Sequence, residues 1–152
     1  MDNDVFRETY HAINERFCPY EKSILTNNCR CGEAHKFCIA EREGVHCRSD
    51  EAQAQCLDLL ETLRVRARFA LKATDGGAAL PHAKAMRVQV GGLRGLVAAL
   101  EPEKPVPAKI DDIHEVVRAA VGRFGSFTQL PFQVIIQHIA AYKGRKRLRG
   151  RR

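Results

Sequence analysis

The chain has 152 residues, of which 45% are hydrophobic and 28% charged, and this size and composition fit one folded domain and exclude a wholly disordered protein. It has no stretch near the roughly 18 consecutive apolar residues that a membrane-spanning helix needs. The N-terminal sequence MDNDVFRETYHAINERF is acidic and polar, unlike a secretory signal, so we expect a soluble cytoplasmic protein.

The net charge of +7 comes from the C-terminal end of the chain. Residues 143–152, KGRKRLRGRR, hold seven of the 25 Lys and Arg residues and no acid, and the other 18 are balanced by 18 Asp and Glu. We therefore predict a single helical domain over residues 1–142 and a basic flexible tail over residues 143–152.

The basic tail predicts contact with the phosphate backbone of a nucleic acid, because solvated Lys and Arg neutralise phosphates and release counterions. The alternatives are a tail that only solubilises the protein and one that docks on an acidic protein. The residues that would make the nucleic-acid contact are Arg145, Lys146, Arg147, Arg149, Arg151 and Arg152.

The N-terminal third of the chain predicts short helices and one loop. Apolar residues at three- and four-residue steps indicate a helix over residues 4–17. A short helix over residues 20–25 follows, and the polar residues TNN and the cysteine-containing segment 29–32 form an irregular loop. Residues 33–43 favour another helix, which would end at Gly44.

Ser49 begins the clearest predicted helix. Serine is a good N-cap residue, and Asp50 and Glu51 lie in the first turn, where the helix dipole favours negative charge. An apolar stripe then continues to about Lys72.

The rest of the chain also predicts helices, with no internal repeat and little alternating pattern. The predicted segments are a helix from Pro81 that Gly91 and Gly92 break or loosen, a proline-rich linker over 101–109, and helices over about 111–124 and 131–142. The predicted fold class is therefore all-α, a compact bundle of about five to seven helices with a cysteine-rich N-terminal part.

All six cysteines lie between residues 18 and 56, and the rest of the chain has none: they are Cys18, Cys29, Cys31, Cys38, Cys47 and Cys56. Cysteines that only fill a core would not gather in this way. In a reducing cytosol, clustered cysteines indicate metal binding or catalysis ahead of disulfides. Four thiolates are enough to hold either an iron–sulfur cluster or a zinc ion.

The positions of the cysteines separate ligand candidates from core residues. Cys29 and Cys31 form a C-x-C pair whose side chains would point to the same side of an extended loop. Cys38 lies inside a predicted helix, so we expect it to fill the core or to be a spare ligand. The predicted metal ligands are the cysteines at helix ends and turns, together with the one on the inward face of the Ser49 helix: Cys18, Cys29, Cys31, Cys47 and Cys56.

Two histidines near the cysteines are possible substitute ligands, because imidazole binds both zinc and Rieske-type iron. They are His35 and His46, and His46 is the better candidate because it is next to Cys47.

The spacing favours an iron–sulfur cluster over zinc. The chain has neither the C-x2-C pair nor the H-x3–5-H pair that indicates zinc, and it lacks the C-x2-C-x2-C run of bacterial ferredoxins. Single cysteines spaced widely around one C-x-C pair are typical of clusters held by loops between helices. We predict an iron–sulfur cluster, expected to be [4Fe–4S], while the sequence leaves its nuclearity open.

The corresponding function is a small electron carrier, a redox or oxygen sensor, or an accessory protein of a redox system, with a redox protein as partner. One alternative is a zinc-stabilised helical module that binds nucleic acid through its tail, and another is a helical adaptor with inert thiols. No phosphate-binding loop or nucleophile-elbow motif occurs, so an enzyme is the less favoured interpretation. Oligomeric state and the physiological partner are left open.

Overall fold

The computed structural model describes residues 3–75 and 81–144, so the predicted nucleic-acid contacts at residues 145–152 lie outside the described part. The helices in chain order are α1 (Asn3–Ile13), α2 (Glu21–Leu25), α3 (Asp50–Arg66), α4 (Arg68–Asp75), α5 (Pro81–Met86), α6 (Gly92–Leu100), α7 (Ile113–Phe124) and α8 (Phe132–Ala141). A π-helical turn (Arg87–Gly91) joins α5 to α6, and a 3-10 turn (Phe127–Gln129) precedes α8. The strands are β1 (Ala34–Ile39) and β2 (Arg42–Cys47).

The helix predicted over residues 33–43 is wrong, because this segment forms most of an antiparallel hairpin of β1 and β2. Its connection is tight, and Ala40 takes a left-handed conformation with φ 55°. The ring of Phe37 lies over Gly44 in the paired strand, where any Cβ would collide with the ring. The fold is therefore mostly helical and includes a small sheet, so the all-α prediction is confirmed only for its helical content.

A third extended segment lies against β2. The N–H of Cys47 donates to the carbonyl of Arg16 at 2.8 Å, and the N–H of Cys18 donates to the carbonyl of Val45 at 3.0 Å. Residues 16–18 must be extended to make these bonds, which explains why α1 ends at Ile13 and not at the predicted residue 17.

The prediction that Ser49 begins a helix is confirmed. Ser49 is extended, and its hydroxyl accepts the N–H of Ala52 at 3.1 Å, as an N-cap should. The predicted helix to about residue 72 is interrupted once, at Ala67, between α3 and α4. Its predicted apolar stripe is buried, and the buried members in α3 are Ala52, Cys56, Leu59, Leu60 and Leu63.

The predicted break at Gly91 and Gly92 takes the form of a π-helical turn, and the chain stays helical through it. A Cβ on Gly91 would lie 2.8 Å from the Cα of Ile139, and one on Gly95 would lie 2.6 Å from the Cα of Ile135. The glycines therefore let α8 pack directly against the backbone of α6.

The C-terminal half follows the prediction closely. Residues 101–109 have no helix or strand, as expected of a proline-rich linker, and Asp112 is the N-cap of α7. The core lies among α3, α6, α7 and α8, and its largest fully buried side chains include Leu59, Leu63, Leu93, Leu96, Ile113, Ile135 and Ile139. Within the described ranges, no helix is both long and apolar enough to cross a membrane.

Candidate metal centre

Four of the six cysteines lie near enough for their charges to interact, although each belongs to a different part of the chain. Cys18 follows α1, Cys31 lies in the loop between α2 and β1, Cys47 ends β2, and Cys56 is in α3. We call these residues the four-cysteine group. Cys31 is half-buried, and the other three are buried.

Members of the four-cysteine group raise the pKa of Cys18, Cys31 and Cys56, and such effects require the sulfurs to lie near each other. Burial is the main cause, and it raises the pKa of Cys31 and takes the pKa of Cys18 and Cys56 to about 12. In addition, Cys31 and Cys47 raise the pKa of Cys18, and Cys47 raises that of Cys31. The pKa of Cys56 is raised by all three of the others. Every pair within the group is thus coupled.

The same kind of tight turn holds Cys18 and Cys31. Each cysteine carbonyl accepts the backbone N–H three residues further on, at 3.1 Å for Cys18 and 3.2 Å for Cys31. The backbone N–H two residues on, from Tyr20 or Glu33, hydrogen bonds to the sulfur and lowers the thiol pKa against the larger effect of burial. Proline follows the first cysteine and glycine the second, and both residue types favour such turns. The turns therefore supply each sulfur with a donor that stabilises a thiolate.

The loop that carries Cys31 is attached to the segment that precedes α7. The N–H of Arg30 donates to the carbonyl of Ile110 at 2.8 Å, and the carbonyl of Arg30 accepts the N–H of Ile113 at 2.9 Å. These long-range backbone bonds fix the loop although it contains no regular secondary structure.

The N-terminus of α7 faces the sulfur of Cys31. The carboxylate of Asp112 accepts the N–H of Gly32 and the N–H of His114, both at 3.1 Å. Burial raises the pKa of Cys31, whereas a hydrogen bond from the backbone N–H of His114 lowers it and the Asp112 carboxylate raises it further. This contribution could not be predicted from the sequence, because Asp112 lies 80 residues beyond Gly32.

The end of β2 and the start of α3 position the other two members of the group. The thiol of Cys47 donates to the carbonyl of Ser49 at 3.3 Å, and Ser49 caps the helix. Cys56 lies two turns into α3 on its buried face. A short connection between strand and helix thus directs both sulfurs toward the same place.

The remaining two cysteines lie outside the four-cysteine group. Cys29 is only 1% exposed, and burial raises its pKa to about 12 although its charged neighbours, Arg94 and Lys109, lower it. Cys38 is exposed on β1 and neither fills the core nor faces the group, because the segment is a strand and not the predicted helix. Of the five predicted ligands, Cys18, Cys31, Cys47 and Cys56 therefore form one coupled group, and Cys29 is not among the thiols that raise the pKa of Cys18, Cys31 or Cys56.

The two histidines considered as substitute ligands have other neighbours. The Nδ1 atom of His46 lies 3.0 Å from the Oδ1 atom of Asn14, a buried residue that also donates to the carbonyl of Val45 at 3.0 Å. His35 is exposed on β1, and its Nδ1 atom lies 3.4 Å from Arg48.

Like the contribution of Asp112, the environment of Tyr20 was not predicted from the sequence. Its side chain is fully buried, and its hydroxyl has no hydrogen-bond partner among the described residues. Burial raises its pKa well above the usual range, and Cys56, Cys29 and Cys18 raise it further. The position of Tyr20 two residues after Cys18 was the only available signal.

Among residues 3–75 and 81–144, no three His, Cys, Asp or Glu side chains are arranged closely enough to hold a metal ion. Chemically, the group offers four soft sulfur donors in a mostly buried setting, and such donors suit iron–sulfur clusters and zinc.

The burial of these thiols predicts their reactivity in the metal-free protein. At pH 8, iodoacetamide should label Cys38 at least about tenfold faster than Cys18, Cys29 or Cys56, because the thiolate is the reactive form and a pKa of about 12 leaves on the order of one thiol in 10⁴ ionised. Peptide mapping by mass spectrometry would measure the order of labelling. Labelling of Cys56 as fast as that of Cys38 would show that the group is open to solvent.

No protein-family model, curated protein or solved structure significantly matches the chain.

Proposed function

We propose that the four-cysteine group binds an iron–sulfur cluster, expected to be [4Fe–4S], and that the protein is a small electron carrier, a redox or oxygen sensor, or an accessory protein of a redox system. The observation that supports this proposal is the electrostatic coupling among thiols that come from four separate parts of the chain. Cysteines that only fill a core would not be expected to gather in one part of the fold. An iron–sulfur cluster bound by all four thiols would explain why they lie near one another.

The spacing of the cysteines along the sequence, which has no C-x2-C or H-x3–5-H pair, supports a cluster over zinc. A zinc ion needs four sulfurs at about 2.3 Å from one point. In a [4Fe–4S] cluster each thiolate binds a different iron, so the sulfurs lie farther apart. Among the described residues no three possible ligands are grouped to hold a metal ion, so the preference for a cluster rests on the sequence spacing.

The residues around the group suit a redox role. When bound, such a cluster would accept and release one electron at a time. Burial of Cys18, Cys47 and Cys56 keeps water from that side, whereas Cys31 is half-buried and offers the shortest route to the surface. The backbone donors on Tyr20, Glu33 and His114 would stabilise the negative charge of bound thiolates. We propose that a redox partner approaches the surface beside Cys31.

The decisive experiment is iron and acid-labile sulfide analysis, with an absorption spectrum, on protein purified without oxygen. We expect about four iron and four sulfide per chain and a broad band at the blue end of the visible spectrum. Colourless protein without iron or sulfide would contradict the proposal. About one zinc per chain without sulfide would overturn it in favour of a structural zinc module.

The nucleic-acid contact of the basic tail stays a prediction, because residues 145–152 lie outside the described part of the chain. It is compatible with either metal, since a cluster-containing regulator and a zinc module would both use such a tail in the same way.

A further inference from the structure

A cavity of about 810 Å³ lies where the end of α2, helix α5 and the end of α8 meet. Its volume is within the range of about 300–1,000 Å³ that is typical of sites for bound molecules. The residues after α2 that line it include Asn27, and α5 contributes Ala83. Tyr142 forms a further wall, and the guanidinium of Arg94 lies 5.2 Å from the centre of its ring. Three separate segments of the folded domain thus build a cavity of the size of a ligand site.

The lining of this cavity is basic. It includes His82, Arg87 and Lys143, and none of the lining residues that the structure describes is Asp or Glu. Lys109 adds a positive charge behind the wall, because its Nζ atom donates to the Oδ1 atom of Asn27. A concave surface with charges of one sign concentrates ligands of the opposite sign. The cavity therefore suits a negatively charged ligand.

Two further cavities of the domain have the opposite charge. Both border α7 and are lined by Asp112 and Glu115, and one of them also by Glu101 and Asp111. Each has more carboxylates than arginines, and carboxylates repel phosphate and other anions. An anionic ligand is therefore expected at the basic cavity and not at the two cavities beside α7.

The basic cavity is continuous with the basic tail. The first two tail residues, Lys143 and Gly144, line the cavity, and the next eight, RKRLRGRR, include six Lys and Arg and no acid. A single small anion would not need so many positive charges. A nucleic-acid strand has one phosphate for each nucleotide, so it can contact the cavity and the tail together. The charge pattern therefore favours a nucleic acid over a small anionic molecule.

We propose that the basic cavity binds the phosphates of a single-stranded nucleic acid, so that the folded domain, and not the tail alone, forms the interface. Arg87 and Lys143 neutralise phosphates of the strand. The concave shape admits an unpaired nucleotide, whereas the bases of a duplex are stacked and paired. The inference does not depend on whether the four-cysteine group binds a cluster or zinc.

The first test is Ala83→Glu in the full chain, which places a negative charge at the cavity and keeps its basic residues. We expect binding of a fluorescein-labelled oligothymidine of about 15 nucleotides to weaken by about tenfold at about 50 mM salt, because the added carboxylate repels the phosphates. Fluorescence anisotropy measures the dissociation constant, and circular dichroism checks that the variant is folded.

Ala54→Glu is the matched control. It makes the same change of charge at an exposed alanine of α3 that lines none of the three cavities. Its dissociation constant should stay within about twofold of that of the wild type, because salt screens a charge that is distant from the strand. Equal weakening by Ala54→Glu and Ala83→Glu would show that only net charge matters and would overturn the inference.

Arg87→Gln separates the cavity from the tail, because Arg87 lies in the π-helical turn and far from residues 143–152 in the sequence. The slope of log affinity against log salt concentration should become less steep by about 0.7, which corresponds to one phosphate contact with a single strand. Unchanged binding in both Ala83→Glu and Arg87→Gln would mean that the strand contacts the tail alone. That result would overturn the inference, as would wild-type protein that does not bind the oligothymidine or that binds thymidine monophosphate equally tightly.

Discussion

Cys31→Ala should lose the cluster and Cys29→Ala should keep it, although the two residues stand two positions apart in one C-x-C pair. Cys31 belongs to the four-cysteine group, whereas Cys29 has Arg94 and Lys109 as its charged neighbours. We expect iron to fall from about four per chain to below about one in Cys31→Ala, because a [4Fe–4S] cluster needs four thiolate ligands. Iron and sulfide analysis without oxygen measures both variants.

The same comparison extends to the other cysteines, with circular dichroism to check that each variant is folded. Cys18→Ala, Cys47→Ala and Cys56→Ala should behave like Cys31→Ala, since all four thiols are coupled. Cys38→Ala should behave like the wild type, because Cys38 is exposed on β1. Equal iron loss in Cys29→Ala and Cys31→Ala would show that the described grouping is wrong and that the C-x-C pair acts as one unit.

The C-x-C pair also shows which property of the site could not be predicted from the sequence, namely the directions of its two sulfurs. The expectation that both sulfurs point to one side holds only if the loop is extended through Cys31. In the structure the chain turns at Gly32, and the N–H of Ala34 bonds back to the carbonyl of Cys31. The clustering of cysteines in the sequence predicted that they bind a metal ion or an iron–sulfur cluster. The position of this loop depends on backbone bonds between Arg30 and residues 110 and 113, far along the chain.

The helices that sequence patterns predicted well are those with local signals. Ser49 and Asp112 cap their helices through their own side chains, so a short stretch of sequence contains all the information needed. The hairpin was missed because its stabilising partner, residues 16–18, is distant in sequence and pairs with β2 through backbone bonds. The pattern of apolar residues over positions 33–43 gives no indication of the pairing between residues 16–18 and β2.

The second large effect that we predict is the loss of stability caused by substituting Gly95. Gly95 lies in α6 where it packs on α8, and a Cβ there would be 2.6 Å from the Cα of Ile135 and 3.1 Å from its carbonyl oxygen. Both atoms belong to the backbone, so α8 itself must move to make room. We expect Gly95→Ala to lower the free energy of unfolding of the metal-free protein by about 3 kcal/mol. Thermal unfolding would shift down by about 6–12 °C.

Gly122→Ala is the matched control, because it makes the same chemical change in α7 at an exposed position where nothing lies within 4 Å of the added Cβ. Alanine is the better helix former by about 1 kcal/mol, so this variant should be more stable than the wild type. The two substitutions thus have opposite expected signs, and only the approach of α8 accounts for the difference. If Gly95→Ala is as stable as Gly122→Ala in urea unfolding, α6 and α8 are not packed backbone to backbone, and the core around Ile135 must be arranged differently.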